Sequence, residues 1–254
     1  MLSALILGLI EGLTEFLPIS STAHLIMANK LLGLSQNAYW QFFEVFIQAG
    51  AILAVATVYF SEIFNHKQNL KLFFSFLPTA IVGFLLYDVI KNIFFNSLLL
   101  IATSLLFFGL IFLLIEWFIK NKKLVVSRKI ENLTFKQALF IGGMQSLAVV
   151  PGVSRAGAAL IGGLVLGYTR KEAAKYSFLL AVPTILMAAI FDLFKTDLSV
   201  VTSNVSLTLI GFISAYFSAL LVIRGLMRFL ENHNLVIFGF YRIILGILIL
   251  ASLV

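Results

Sequence analysis

Apolar residues run through this chain in long blocks, and polar residues interrupt them at only a few places. Six blocks, 40–60, 72–90, 97–119, 176–194, 205–223 and 235–254, come close to or exceed the ~20 helical residues that a bilayer's hydrocarbon core requires, and each predicts a spanning helix. Two further apolar regions behave differently. Residues 1–34 are broken near the middle by Pro18, Ser20, Ser21 and Thr22, and residues 134–168 by Pro151, Gly152, Ser154 and Arg155. The arms on either side, roughly 15 residues each, are too short to cross. Irregular backbone at membrane depth survives only where protein or a wet cavity surrounds it, so each region predicts a re-entrant helical hairpin with its tip inside the membrane.

The segment from Gly8 lies over that from Gly142 at a constant offset of 134 residues, with Glu11 on Gln145, Leu13 on Leu147, Ser20 on Ser154 and Ser21 on Arg155. This repeat divides a single integral membrane domain, 1–254, into halves of approximately 1–127 and 128–254, each a hairpin followed by three spans. The expected fold is therefore an all-α polytopic membrane protein with six transmembrane helices plus two re-entrant helical hairpins. An odd number of spans per half inverts the second half, which is the inverted-topology repeat in which broken helices meet at a mid-membrane ligand site.

Composition agrees with the pattern: 61% of residues are hydrophobic and 11% charged, against about a quarter charged in soluble domains. The formal charge of +7 raises the question of nucleic acid, and the positions of the basic residues answer it. If the loop bearing Lys120, Lys122, Lys123, Arg128 and Lys129 is cytoplasmic, thirteen basic residues, Lys67, Lys71 and Arg170 among them, fall on that side. Only Lys30, Lys91 and Lys195 fall on the other. That asymmetry marks membrane orientation, with no nucleic acid partner implied. Arg155 and Arg242 are left within the membrane. There is no cysteine, so disulfides and thiolate metal sites are excluded. The N-terminal stretch has no basic leader and is expected to stay in the mature protein.

Glu11 and Glu15 stand at i, i+4 and share one helix face. A carboxylate at membrane depth costs a few kcal/mol, which makes both functional candidates by default. A proton-sharing structural pair is the bland alternative, and it gives two costly acids no return. Ser20, Ser21, Thr22 and His24 follow within nine residues. His24 has a ring that titrates near neutrality and suits a general acid, a general base or a nucleophile, although an isolated membrane histidine more often bridges helices. Arg155 lies in PGVSRAG, where glycines permit close backbone approach, Ser154 adds a hydroxyl, and a guanidinium can fork two phosphate oxygens. A helix starting after Pro151 would add its positive end. Arg155 could equally neutralise Glu11 or Glu15, and an anionic substrate could open that pair.

Glu44, Gln48 and Gln145 read as supporting polar groups. Arg242, after Tyr241, reads either as interior or as an arginine snorkelling to the cytoplasmic surface. His66 and His233 read as solvated loop residues. Phe42, Phe43, Phe73, Phe74, Phe94 and Phe95 read as lipid-facing or helix-packing residues rather than a dedicated isoprenoid groove.

The segments EGLTEFLPISSTAHLI from Glu11 and PGVSRAG from Pro151 resemble the two signature segments of the bacterial undecaprenyl-diphosphate phosphatase family. FEVFIQAGAILAV from Phe43, YSFLLAVP from Tyr176 and YR at Tyr241 match in order, so the resemblance spans nearly the whole chain. It implies removal of one phosphate from undecaprenyl diphosphate, which recycles the lipid carrier of peptidoglycan and other cell-wall polymers, with the bacitracin resistance that such recycling confers. It also implies the bacterial cytoplasmic membrane, with a site opening to the periplasm. The partners would be the lipid substrate and membrane lipids, and an oligomer is compatible with the sequence.

Carried onto this chain, the family pattern nominates Glu15, Ser21, His24 and Arg155 as catalytic. Ser20, Thr22, Ser154 and Arg155 would bind substrate, and Glu11 and Glu15 would hold a divalent cation, Mg2+ or Ca2+. The nucleophile stays open among Ser21, His24 and water. Ala156 and Ala159 stand where the family usually has hydroxyl residues. The rival reading from another class is a secondary transporter or lipid-phosphate flippase on the same scaffold.

Overall fold

A computed structural model describes residues 1–34, 37–63, 66–95, 97–197, 199, 202 and 204–253. The side chains of His66, Lys67 and Lys91 lie outside the described set, so the readings placed on them are not addressed.

Among the described residues ten principal helices organise the fold: α1 (Leu2–Thr14), α2 (Ser21–Leu31), α3 (Ala38–Val58), α4 (His66–Leu85), α5 (Leu98–Lys120), α6 (Phe135–Ser146), α7 (Arg155–Val165), α8 (Arg170–Lys195), α9 (Val205–Asn232) and α10 (Val236–Ala251). Their starts follow local chemistry. The side chains of Asn37, Ser97 and Thr169 accept from the backbone N–H three residues on, at the heads of α3, α5 and α8. Thr134 and Gln137 form a reciprocal capping box at α6.

Among the described residues four helices, α3, α5, α8 and α9, are long and apolar enough to cross a membrane, and the chain is a multi-pass membrane protein. The other two expected spans fall on shorter apolar stretches: Asn69–Leu85 of α4, and α10 with 16 residues. Pro78 lies inside α4, and beyond Leu85 the chain passes through a short helix, Tyr87–Val89, into a π turn, Ile90–Phe94, so block 72–90 is not one regular helix. Outward side chains fit a lipid solvent: Phe107, Leu110 and Leu114 of α5 are 62%, 58% and 52% exposed.

The two broken regions form helix pairs. α1 and α2 have 13 and 11 residues, α6 and α7 have 12 and 11, and at 1.5 Å per residue each is about 20 Å long or less, short of the ~30 Å core. α1 packs on α9 and α6 on α4. Both contacts depend on glycine, because a Cβ on Gly8 would strike Ser214 Oγ and the Gly211 carbonyl, and one on Gly142 would strike the backbone of Ser75. Small residues that let backbones touch are how helices associate where lipid removes the hydrophobic drive.

Ion pairs gather several helix ends at one end of the bundle. Arg170, at the start of α8, donates to both carboxylate oxygens of Glu116 near the end of α5, at 2.7 and 2.5 Å, and Glu116 also receives the backbone N–H of Leu235 just before α10. Lys171 meets Glu231 of α9, Lys175 meets Glu62 beyond α3, and Lys71 of α4 donates to the carbonyl of Glu131. The basic loop after α5 is held there by the N–H groups of Ser127 and Arg128 on the Gly167 carbonyl.

Gly142→Ala is expected to destabilise the protein by about 1–3 kcal/mol through overpacking against α4. The neighbouring Gly143→Ala, whose Cβ meets nothing within 4 Å, should be neutral or slightly stabilising. Thermal unfolding of both variants in detergent tests the contrast.

Candidate active site

The two sequence breaks become two turns of matching form. Ser20 and Ser154 both have φ of 72°, a conformation that non-glycine residues seldom adopt. Each caps the helix it opens, Ser20 accepting from Ala23 N–H at 3.4 Å and Ser154 from Gly157 N–H at 3.1 Å. Unpaired N–H groups and the positive ends of α2 and α7 therefore start at these turns, an arrangement suited to anions.

Arg242 of α10 ties the turns together. Its side chain is fully buried, so it is interior and does not snorkel. The guanidinium donates to the carbonyl of Pro18 on the first turn at 2.9 Å, and to those of Gly152 and Val153 on the second at 2.5 and 2.9 Å. It also lies near the rings of Phe108 and Phe112 of α5. One cation thereby satisfies three carbonyls that the broken helices leave without partners.

Around these turns, Glu15, Ser21 and Arg155 come together. The helical turn of α1 continues through Glu15, whose N–H bonds the Glu11 carbonyl at 2.8 Å, so the two acids keep their common face. Arg155 reaches across from the first position of α7. Its Nε and Nη2 donate to Glu15 Oε1 at 3.2 and 3.0 Å, and its Nη1 to the Ser177 carbonyl of α8 at 2.9 Å. Phe16 lies beneath the guanidinium, 5.9 Å from ring centre to Cζ, and packs edge-on against Phe178. The second oxygen of Glu15, Oε2, accepts from the Ser21 hydroxyl. Glu15 is thus divided between a cation and a hydroxyl.

Glu11 is completely buried, and neither of its carboxylate oxygens has a hydrogen-bond partner among the described residues. His24 points elsewhere than Ser21. Its Nδ1 is 2.7 Å from the Ser20 carbonyl and its Nε2 is 2.6 Å from the Tyr241 hydroxyl. Thr22 is half-buried on the first turn of α2. Ala156 and Ala159 are buried in α7 and bring no hydroxyl.

The supporting residues divide. Glu44 accepts from Asn29 of α2, which joins α3 to the first pair. Gln145 donates instead to Thr79 and Thr184, both at 3.0 Å, and makes no hydrogen bond to the Glu15 cluster. Phe42 and Phe43 are buried while Phe73 and Phe74 are exposed, so both readings of the phenylalanines apply, each to different residues. Tyr241 and the full burial of Arg242 were not read from sequence; the only signal was a polar YR pair inside an apolar block.

Fold and site together define a class: a multi-pass membrane protein in which two broken helix pairs carry a buried acid, hydroxyl and guanidinium cluster. Comparison with known proteins is specific. The family model described as bacitracin resistance protein BacA matches residues 4–248, and the chain belongs to that family. A curated undecaprenyl-diphosphatase from Sulfurihydrogenibium sp. is 46% identical over 247 residues, 97% of each chain. One from Wolinella succinogenes is 44% identical over 97% of this chain and 96% of its own, and one from Aquifex aeolicus 41% over 96% and 95%.

Replacing Arg242 with Met should leave three buried carbonyls unpaired, at about 1–3 kcal/mol each. A markedly lower unfolding temperature in detergent is expected, and Arg242→Lys should recover only part of it, because an ammonium cannot reproduce the guanidinium fork.

Proposed function

We propose that this protein hydrolyses undecaprenyl diphosphate to undecaprenyl phosphate and inorganic phosphate. The observation that carries the reading is the division of Glu15: Ser21 has a carboxylate positioned to take its proton, and that carboxylate is held by a guanidinium able to bind phosphate. The names of the relatives favour the same substrate.

The terminal phosphate approaches Arg155, and its oxygens compete with Glu15 for the guanidinium, helped by the N-terminal N–H groups of α2 and α7. Release from Arg155 frees Glu15 Oε1. Ser21 Oγ then forms a bond to the terminal phosphorus as its proton passes to Glu15 Oε2, and the bond to the bridging oxygen breaks, with undecaprenyl phosphate leaving. Water then forms a bond to the phosphoserine phosphorus as the P–Oγ bond breaks, Glu15 returns its proton to Ser21 Oγ, and the phosphate departs carrying the water's protons. An unassisted hydroxyl is a poor nucleophile at neutral pH, and Ser21 has the Glu15 carboxylate beside it as a base, so Ser21 is preferred over His24 as the nucleophile. Ser20, Thr22 and Ser154 line the substrate phosphates in this scheme, and His24 serves as acid or base toward the departing group.

Mg2+ or Ca2+ fits the orphaned oxygens of Glu11, with Glu15 beside it as a second donor. Among the described residues no three His, Cys, Asp or Glu side chains converge, so diphosphate and water oxygens would have to supply the remaining donors. Bound there, the cation would neutralise charge on the phosphoryl oxygens.

The gathered helix ends described above support six spans, and the matching turns at Ser20 and Ser154 support two re-entrant hairpins in inverted halves near 1–127 and 128–254. The basic loop after α5 supports a reading in which its end of the bundle faces the cytoplasm of the inner membrane and the site opens to the periplasm.

Phosphate release from undecaprenyl diphosphate in detergent, where there are no two sides, tests the enzyme. Wild type should release phosphate, Arg155→Ala and Ser21→Ala should each lose about 10²-fold or more, and EDTA should suppress the wild type. Acid quench should trap phosphate on Ser21. Well-folded wild type that releases none across several cations would sink the reading and favour a transporter on the same scaffold.

A further inference from the structure

Tyr241 of α10 reaches the ring of His24 on α2. The two rings stack with centroids 5.6 Å apart and planes 10° from parallel, and the phenol oxygen lies 2.6 Å from His24 Nε2. On the other side of the imidazole, Nδ1 is 2.7 Å from the Ser20 carbonyl. A carbonyl oxygen only accepts, so Nδ1 must carry a hydrogen; in the neutral ring Nε2 then has the free lone pair, and the Tyr241 hydroxyl donates to it.

Residues next to Tyr241 and His24 hold this geometry from both sides. Arg242 is locked to the two turns, which sets the rotation of α10 and so the place of Tyr241. Ser20 is at once the cap of α2 and the carbonyl partner of His24, so the ring is tied to the turn it follows. Ala23, beside His24, packs with Ile101, Ala102 and Leu105 of α5 and Ile249 of α10.

We propose that Tyr241 is a positioning residue: the Ser20 carbonyl fixes the Nδ1–H tautomer, and the Tyr241 hydroxyl, donating to Nε2, holds the ring so that Nε2 is the working atom. When Nε2 takes a proton from the departing phosphate, the O–H bond of that phosphate breaks as the N–H bond forms, both ring nitrogens become donors, and the phenol rotates about its C–O bond from donor to acceptor. The contact persists in both states of the ring. Phenylalanine keeps the stack and loses this. The proposal rests on His24 acting in the phosphatase reaction.

The test compares wild type with Tyr241→Phe by kinetics on undecaprenyl diphosphate and by 15N NMR of the histidine ring nitrogens. The chain has three histidines, and His24→Gln assigns the signal of interest. In wild type, Nε2 should appear as a hydrogen-bonded acceptor and Nδ1 as protonated. In Tyr241→Phe, Nε2 should move to the position of an unbonded acceptor, and kcat should fall about tenfold with KM changed less than twofold.

An Nε2–H tautomer in wild type, a ring signal unmoved by Tyr241→Phe, or a moved signal with unchanged kcat would each overturn the proposal. The wild-type spectrum decides the tautomer even if the variant fails to fold. Wild type without phosphate release would instead remove the phosphatase reading, while the ring nitrogens still report whether the contact exists.

Discussion

Backbone that leaves a helix inside a membrane protein exposes carbonyls and N–H groups that neither water nor lipid can satisfy, and this chain leaves its helices twice. Both times the same cation answers. The guanidinium of Arg242 takes the carbonyl of Pro18 from one turn and those of Gly152 and Val153 from the other, so neither turn is complete without α10. Ser20 and Ser154, twisted to positive φ, are tolerated because each caps the helix that follows and the turn before it is pinned.

From that clamp the rest of the site follows. Once the turns are joined, Glu15 at the end of α1 and Arg155 at the start of α7 stand within hydrogen-bond distance, although 140 residues separate them in sequence. The ion pair is nearly dehydrated, the setting in which a lone charge is most costly and a competing anion of the right shape can replace one partner. Glu15 answers two demands at once, neutralising Arg155 with one oxygen and receiving Ser21 with the other. Glu11, one turn earlier, is fully buried, and neither of its carboxylate oxygens has a hydrogen-bond partner among the described residues.

The periphery is built for a different purpose. Glycine and serine let α1 lie close on α9 and α6 close on α4, while the outward faces of α5 and α9 carry large apolar side chains toward lipid. Ion pairs concentrate at one end, where Glu116 binds α5 to α8 and α10. The polar groups of the two turns are thus kept inside a shell whose outward faces match lipid.

Much of this was legible in the residues themselves. Hydrophobic block length marked the membrane helices, proline and serine marked the two breaks, and the cost of ionised groups in apolar sequence marked Glu11, Glu15 and Arg155 before any geometry was known. Those inferences rest on local physics: helix rise, backbone dihedrals and the solvation of charge. Three features depended on tertiary structure. Arg242 was ambiguous because a long side chain can leave or enter the membrane, and only the position of the turns beneath it decided. His24 and Ser21 are close in sequence yet have separate partners, because α2 presents them at different angles to Glu15 and Tyr241. α4 runs over His66–Leu85 rather than its block 72–90, and α10 is shorter than its block, because apolar blocks record what can sit in lipid, whereas the ends of helices are set by caps and the packing of neighbours.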